Sequence, residues 1–202
     1  MKITELKHRN DVGLYLNANG LTNLAAEIGV AYGEYACEIL SKWHGAGLFL
    51  IDPWDISKCG EYIDGSAGID FDGAFNYCIS KISSFPGRTI VLRGTSDEAL
   101  DKLPDASLDF AYIDGNHHNP QVTKDINGYF KKVKSGGLLG GHDYYDLNEW
   151  YYRCEVKSSV DKFVEENGLT LHLTEQEPNS VFDVKTNETK VIEDRSWWIV
   201  VP

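Results

Sequence analysis

Residues 24–33, Leu24-Ala25-Ala26-Glu27-Ile28-Gly29-Val30-Ala31-Tyr32-Gly33, carry the clearest structural signal in the chain. The apolar run 24–28 is typical of a buried strand that ends at Gly29, and residues 31–43 have the apolar spacing of a helix. A glycine-containing turn between strand and helix lets a ligand approach the backbone and directs helix N–H groups toward it. The stretch therefore predicts a ligand-binding strand–turn–helix unit. Close packing of the helix on the strand is the alternative explanation for the glycines.

The same alternation continues along the chain and predicts the fold class. Helical patterns separate short apolar runs, and such an order is typical of a doubly wound α/β sheet with mostly parallel strands and right-handed crossovers. The further predicted strands are 48–51, 89–92, 108–113 and 138–141, and the helices between them are 75–82, 96–103 and about 120–133.

The rhythm changes after residue 155. A helix is predicted at 156–167, and the strands 169–173 and 197–201 follow without a helical pattern between them, which predicts an antiparallel strand in the edge region of the sheet. Residues 180–194 resemble a small extra hairpin that turns at 186–187. We find no internal repeat or low-complexity linker, so we predict a single domain over residues 1–202, with residues 1–20 as an N-terminal cap segment.

Composition restricts the partners of the protein. The 202 residues contain 31 acidic and 19 Lys or Arg residues, which gives a formal charge of -12. A negative surface repels phosphate groups, so we expect binding neither to nucleic acid nor to membranes. The four cysteines form no CxxC pair, and the chain has no signal-peptide pattern and no apolar run of the ~20 residues that cross a bilayer. We therefore predict a cytoplasmic protein with reduced thiols.

Asp52 ends the second predicted strand, 19 positions after Gly33. A carboxylate at that place is suited to accept hydrogen bonds from the two hydroxyls of a ribose. A turn or helix-cap aspartate before Pro53 is the alternative. Trp54, two residues further on, would offer an aromatic face to the same ligand.

Titratable residues follow the fourth and fifth strands. Asp114, His117 and His118 come after the fourth, and His142 and Asp143 after the fifth. Because the ends of neighbouring parallel strands meet at one edge, Asp114, His142 and Asp143 are expected to converge as ligands of one divalent ion. His117 or His118 would be available as a base near neutral pH, although a loop with solvated imidazoles explains either residue equally well.

Two segments after strand ends have the composition of lids. Residues 55–73 are rich in Gly and Asp, and residues 144–153 contain five Tyr or Trp side chains. Both lie where open α/β sheets bind ligands. The aromatic segment would form a wall of the pocket for a second substrate, and a cluster that covers the core is the alternative.

Taken in order, these motifs resemble the class I S-adenosylmethionine-dependent methyltransferases, and most closely their small O-methyltransferase-like members. The resemblance is carried by Glu27-Ile28-Gly29…Gly33, Leu50-Ile51-Asp52-Pro53-Trp54, Arg93-Gly94-Thr95-Ser96, Leu108 to His118, Ser135-Gly136-Gly137…Gly141-His142-Asp143-Tyr144 and Ser196-Trp197-Trp198-Ile199-Val200. It implies a seven-stranded Rossmann-like sheet in which the last strand is inserted antiparallel.

The resemblance also implies roles for individual residues. Glu27, Gly29 and Gly33 would surround the methionine part of the cofactor, Asp52 would hold the ribose, and Thr95 and Ser96 would border the adenine, with Trp54 and Asp114 also beside the cofactor. Metal-dependent relatives bind Mg²⁺ or another divalent cation at the places of Asp114 and Asp143, and His142 replaces the carboxylate usual there. His117 stands at the place of a catalytic base.

The function that follows is transfer of a methyl group to the hydroxyl of a small acceptor, such as a sugar or a phenol, by a monomer or a homodimer. One alternative is a nicotinamide-dependent oxidoreductase on a similar sheet, which Ala31 disfavours because that fingerprint has glycine there. Another is a cofactor-binding module without turnover. A metal hydrolase ranks last, since no nucleophile elbow or HExxH motif is present.

Overall fold

The computed structural model describes residues 1–59, 70–149, 152–183 and 188–202. Most of the predicted lid at 55–73, two residues of the aromatic segment 144–153 and the predicted turn at 186–187 lie outside these ranges. The strands are β1 Leu24–Ile28, β2 Gly47–Asp52, β3 Thr89–Arg93, β4 Leu108–Ile113, β5 Val133–Gly141, β6 Asp146–Glu149, β7 Tyr152–Glu155, β8 Leu171–Leu173, β9 Glu177–Asp183, β10 Glu188–Asp194 and β11 Trp197–Val200. The helices are α1 Val12–Ala18, α2 Glu34–Lys42, α3 Phe71–Ile82, α4 Ser96–Leu100, α5 Gln121–Lys132 and α6 Val156–Asn167.

Seven strands form the main sheet in the order β3-β2-β1-β4-β5-β11-β8. The pairs among β1 to β5 are parallel, and β11 is antiparallel to both β5 and β8. This order confirms the predicted doubly wound, mostly parallel Rossmann-like sheet with one antiparallel strand, which lies next to the edge strand β8.

The centre of the sheet is buried on both faces. All six residues of β4 and four of the five in β1 are buried, as expected for parallel strands covered by helices. Ile28 pairs with Ile51 on one side and with Ile113 on the other. The three strands therefore end at the same level, and the residues that follow them lie side by side at one edge.

Some predicted boundaries differ from the observed ones because of local capping. Helix α2 begins at Glu34 rather than at residue 31, since Gly33 adopts a left-handed conformation (φ 77°) and residues 30–33 form a turn. Helix α3 begins at Phe71 rather than at residue 75, because the Asp70 side chain accepts a hydrogen bond from the Gly73 N–H and starts the helix earlier. Strand β5 begins at residue 133, five residues before the predicted start.

The N-terminal residues pack against α2. Leu6, Val12 and Leu16 are buried in the core, and the short helix α1 runs alongside α2. The Asn17 amide donates to the Lys42 carbonyl over 2.7 Å. This packing places Arg9, which opens a 3-10 turn ahead of α1, near the end of β1.

The C-terminal half carries two small hairpins outside the main sheet. Strands β9 and β10 pair antiparallel, which confirms the predicted hairpin at 180–194. Strands β6 and β7 pair antiparallel within the segment that was predicted as an aromatic lid. Tyr145 of that segment is buried in the core, and the Tyr144 hydroxyl donates to Asp161 of α6. Its lid role stays a prediction.

No helix among the described residues is both long and apolar enough to cross a bilayer.

Candidate functional site

Two cavities open where the central parallel strands end. The larger, of about 540 Å³, runs from Trp54 past Thr95 and Ser96 toward Asp114. The smaller, of about 430 Å³, lies between the end of β1, the start of α2 and Arg9. Gly29, Ala31 and Asp114 line both, so the two cavities meet at the end of β1. Together they offer an elongated binding site.

Asp52 organises the loops at this edge. Its Oδ2 accepts hydrogen bonds from the backbone N–H groups of Val30 at 3.0 Å and Ala31 at 2.9 Å, and its Oδ1 accepts one from Trp54 at 2.7 Å. Burial raises the pKa of Asp52, and these three N–H donors oppose that shift only in part. Asp52 therefore does act as a turn residue, and it also lines the larger cavity.

The backbone at this edge is strained. Four non-glycine residues in the described part of the chain have positive φ, and three of them are Ala31 (φ 47°), Trp54 (φ 41°) and Asp143 (φ 53°), all near the strand ends. The Trp54 indole N–H donates to the Ala31 carbonyl over 2.7 Å, and its ring, 1% exposed, packs against Phe75. Strained residues are retained where the surroundings fix them, and they cluster at functional sites.

Gly29 allows two strand ends to approach closely. It has φ 86°, and a Cβ at this position would lie 2.0 Å from the carbonyl oxygen of Asp114. Any side chain there would separate β1 from β4 and alter the junction of the two cavities. At Gly33 a Cβ would lie 2.8 Å from the Cys78 sulfur, so the second glycine serves the packing of α2 on α3.

Thr95 and Ser96 lie at the start of α4, on the wall of the larger cavity. Thr95 caps the helix, since its hydroxyl accepts from the Glu98 N–H while the Glu98 carboxylate accepts from the Thr95 N–H. Gln121 of α5 donates to the Ser96 hydroxyl over 3.0 Å. These bonds hold both predicted residues at the site.

Glu27 and Arg9 belong to the smaller cavity. Glu27 is 2% exposed, and its Oε2 has no hydrogen-bond partner among the described residues. Burial, and then repulsion by Asp114, raise the pKa of Glu27 well above its usual value. The sequence prediction did not include Arg9, because nothing in the local pattern of residues 1–20 marks it as a site residue.

The residues after β4 and β5 meet around two histidines. His117 Nε2 lies 3.1 Å from Asp143 Oδ2 and 3.6 Å from Asp114 Oδ1. Burial alone would lower the pKa of His117, but the two carboxylates outweigh it and raise the pKa. His142 lies between Asp143 at 3.3 Å and Asp194 at 3.5 Å. Burial again would lower the pKa of His142, yet the carboxylates of Asp143 and Asp114 raise it to about 9.

The predicted metal ligands are therefore divided between two groups. The ligand atoms of Asp114, His117 and Asp143 lie within 4.8 Å of one another, and so do those of His142, Asp143 and Asp194. His142 is grouped with Asp194, at the end of β10, and not with Asp114. Asp194, only 1% exposed, was not predicted. His118 lines the larger cavity instead.

A family model described as "Methyltransferase domain" matches residues 26–144, which is more than half of the chain. This chain is a class I S-adenosylmethionine-dependent methyltransferase. The match runs from residue 26 within β1 to just beyond the end of β5 and includes every predicted site residue. It confirms the family that the motifs of the sequence indicated.

The chain is also similar to individual known proteins. The chain is 36% identical over 78 residues to an uncharacterized protein of Acanthamoeba polyphaga mimivirus, a stretch that covers 37% of this chain and 34% of that protein. Among solved structures it is similar to a putative caffeoyl-CoA O-methyltransferase from Staphylococcus aureus (TM-score 0.63, 14% identity, 95% of this chain and 82% of that one). It is also similar to an O-methyltransferase from Bacillus cereus in complex with SAH (TM-score 0.61, 13% identity, 95% and 80%). At these identities the structures establish the fold.

The Asp52 bonds give a first testable prediction. In Asp52→Asn the amide NH₂ replaces one acceptor, so at least one of the backbone N–H groups of Val30, Ala31 or Trp54 loses its partner. An unsatisfied polar group of this kind costs about 1–3 kcal/mol, which favours loop conformations in which that group is solvated. Ligand binding must then restore the original loops, so we expect S-adenosylhomocysteine to bind about tenfold or more weakly by calorimetry.

Asp101→Asn is the control, because Asp101 is exposed and lines neither cavity. We expect it to bind the ligand as the unmodified protein does. Unchanged affinity in Asp52→Asn would show that the three hydrogen bonds do not shape the site.

Proposed function

We propose that this methyltransferase transfers the methyl group of S-adenosylmethionine to the hydroxyl oxygen of a small acceptor, such as a sugar or a phenol. The observation that carries the proposal is the meeting of the two cavities beside Gly29 and Asp114, with His117 next to Asp114. Asp114 lines both cavities and His117 lies 3.6 Å from its carboxylate, so a ligand that extends through both cavities passes close to this pair.

The cofactor would occupy both cavities. Three of the roughly four lone-pair positions of the Asp52 carboxylate are used by backbone N–H groups, which leaves one for a ribose hydroxyl. Thr95, Ser96 and Trp54 would border the adenine, while Glu27, Gly29 and Gly33 would surround the methionine. The sulfonium would then lie near Asp114, where carboxylates favour a positive charge.

His117 is the proposed base. Methyl transfer to oxygen is an in-line displacement in which the C–O bond forms as the C–S bond breaks and the hydroxyl proton is lost. Alignment of the reacting atoms contributes about 7–11 kcal/mol to such a step, and a positioned base adds about 10²–10⁴-fold. Asp143 and Asp114 hold the His117 ring and stabilise the imidazolium formed when it takes the proton.

A divalent cation is the second arrangement that the residues fit. Asp114, Asp143 and His117 are the described residues that would hold it, and a bound ion would lower the pKa of the acceptor hydroxyl. An imidazole in the ligand set favours Mn²⁺, Co²⁺ or Zn²⁺ over Mg²⁺. In that case His117 is a ligand and not the base, so the two roles exclude each other and can be told apart.

For the acceptor we propose a small molecule. The net charge of -12 disfavours nucleic acid and anionic membranes as partners. We retain a cytoplasmic location and a monomer or homodimer as proposals. The nicotinamide alternative is tested by titration with NADH, and binding of S-adenosylmethionine without transfer to any member of a broad acceptor panel would favour the non-catalytic module.

The base assignment predicts the behaviour of histidine variants. His117→Gln should lower methyl transfer from radiolabelled S-adenosylmethionine about 10²–10⁴-fold, because the proposed base is removed, while S-adenosylhomocysteine still binds. Asp114→Asn should also lose transfer. His44→Gln, which changes an exposed histidine, is the control. Full activity of His117→Gln would refute the role, and loss of activity only in His118→Gln would move it to His118.

Removal of metal separates the two arrangements. If His117 is the base, transfer continues after treatment with EDTA and gel filtration, because no step depends on an ion. We expect this result. If transfer is lost after this treatment and returns on addition of Mn²⁺, His117 is a metal ligand. The metal-assisted arrangement would then replace the one in which His117 is the base.

A further inference from the structure

The smaller cavity has an unusual charge distribution. Its wall includes four carboxylates, and Arg9 is the one cationic side chain among the described residues that line it. Arg9 lies outside the family match at residues 26–144. It comes from the N-terminal cap segment, whose contacts with α2 bring it to the end of β1. The carboxylates are Glu27, Glu34, Glu38 and Asp114.

Arg9 is held in place by Tyr35 of α2. The Tyr35 hydroxyl donates to the Arg9 carbonyl over 3.0 Å, and the guanidinium carbon lies 4.9 Å from the centre of the Tyr35 ring. The Arg9 side chain is 27% exposed, and its Nη1 is 3.8 Å from Asp114 Oδ2, which exceeds hydrogen-bond distance. The guanidinium also donates a hydrogen bond to Tyr112, so it is fixed at the cavity, and its other N–H groups can serve a ligand.

Glu27 supplies an independent sign of a ligand. A buried carboxylate oxygen without a hydrogen-bond partner is costly, and native structures keep one only for a reason. Glu27 Oε2 is such an atom and lines the same cavity as Arg9. The positive charge of Arg9 also acts directly on Glu27. A ligand with one cationic and one anionic group on neighbouring atoms would satisfy both residues.

We propose that Arg9 binds the carboxylate of the methionine part of S-adenosylmethionine, while the Glu27 carboxylate accepts a hydrogen bond from its ammonium group. This inference rests on the proposed function. Arginine pairs with carboxylates through two parallel hydrogen bonds, a geometry that lysine cannot supply. The cofactor carboxylate would lie among the four carboxylates of the smaller cavity, so it needs a cationic partner such as Arg9. The N-terminal segment therefore selects for the intact amino-acid end of the cofactor.

The experiment compares two ligands that differ in one group. S-adenosylhomocysteine has the carboxylate, and its decarboxylated analogue, 5′-S-(3-aminopropyl)thioadenosine, has the ammonium alone. Calorimetry should show that the unmodified protein binds S-adenosylhomocysteine about 10- to 100-fold more tightly than the analogue. In Arg9→Met this preference should fall to about twofold or less, through loss of affinity for S-adenosylhomocysteine alone.

Two further variants complete the test. Lys7→Met removes an exposed positive charge from the same segment and should leave the preference unchanged. Arg9→Lys keeps the charge without the planar fork, so we expect an intermediate preference. It also serves if Arg9→Met does not fold. Because the preference is a ratio measured on one protein sample, a partly inactive preparation does not alter it.

Every other outcome refutes either the role of Arg9 or the proposed function. Equal weakening of both ligands in Arg9→Met, or equal affinity of the unmodified protein for both, refutes the role of Arg9 and leaves the proposed function intact. If the unmodified protein binds neither S-adenosylhomocysteine nor S-adenosylmethionine, the proposed function itself fails.

Discussion

The Asp52 carboxylate is the interaction on which the ligand-binding edge depends. It accepts hydrogen bonds from Val30 and Ala31 in the loop after β1 and from Trp54 in the loop after β2. Two of these three residues have positive φ, a conformation that costs a non-glycine residue about 1–3 kcal/mol. One side chain thus joins two loops and keeps them in a conformation that neither would hold alone. Hydrogen bonds within the chain therefore shape this part of the site.

At the ligand-binding edge, acidic residues contact histidines of the site. Asp114, Asp143 and Asp194 surround His117 and His142, and the carboxylates of Asp114 and Asp143 stabilise the charged forms of both imidazoles. Burial and two neighbouring imidazoles act in opposite directions on Asp143, and the imidazoles lower its pKa below the usual value. An edge built in this way suits a cationic sulfonium and a proton transfer beside it.

The sequence was sufficient to predict the fold, because buried parallel strands and amphipathic helices have distinct apolar periods. Strand β4 and helix α6 were predicted with their observed bounds. The start of α2 was placed three residues too early, since Gly33 is left-handed and residues 30–33 form a turn. Asp52 binds the Ala31 N–H of that turn from 21 positions away, a contact that local spacing does not show.

Contacts between distant segments also explain what was missed in the site. Asp114, His117 and Asp143 were found because they directly follow strands, where open sheets bind ligands. The direction of the His142 ring is set by Asp194, 52 residues further on. Arg9 reaches the cavity through the packing of α1 on α2, so its role depends on tertiary structure and leaves no motif in the sequence.

The most direct test of this account is a crystal structure of the protein with S-adenosylhomocysteine. The account predicts a ribose hydroxyl on Asp52, the adenine beside Thr95 and Ser96, and the sulfur at the junction of the two cavities near Gly29 and Asp114. A nucleoside bound away from Asp52, or a sulfur far from Asp114 and His117, would contradict it.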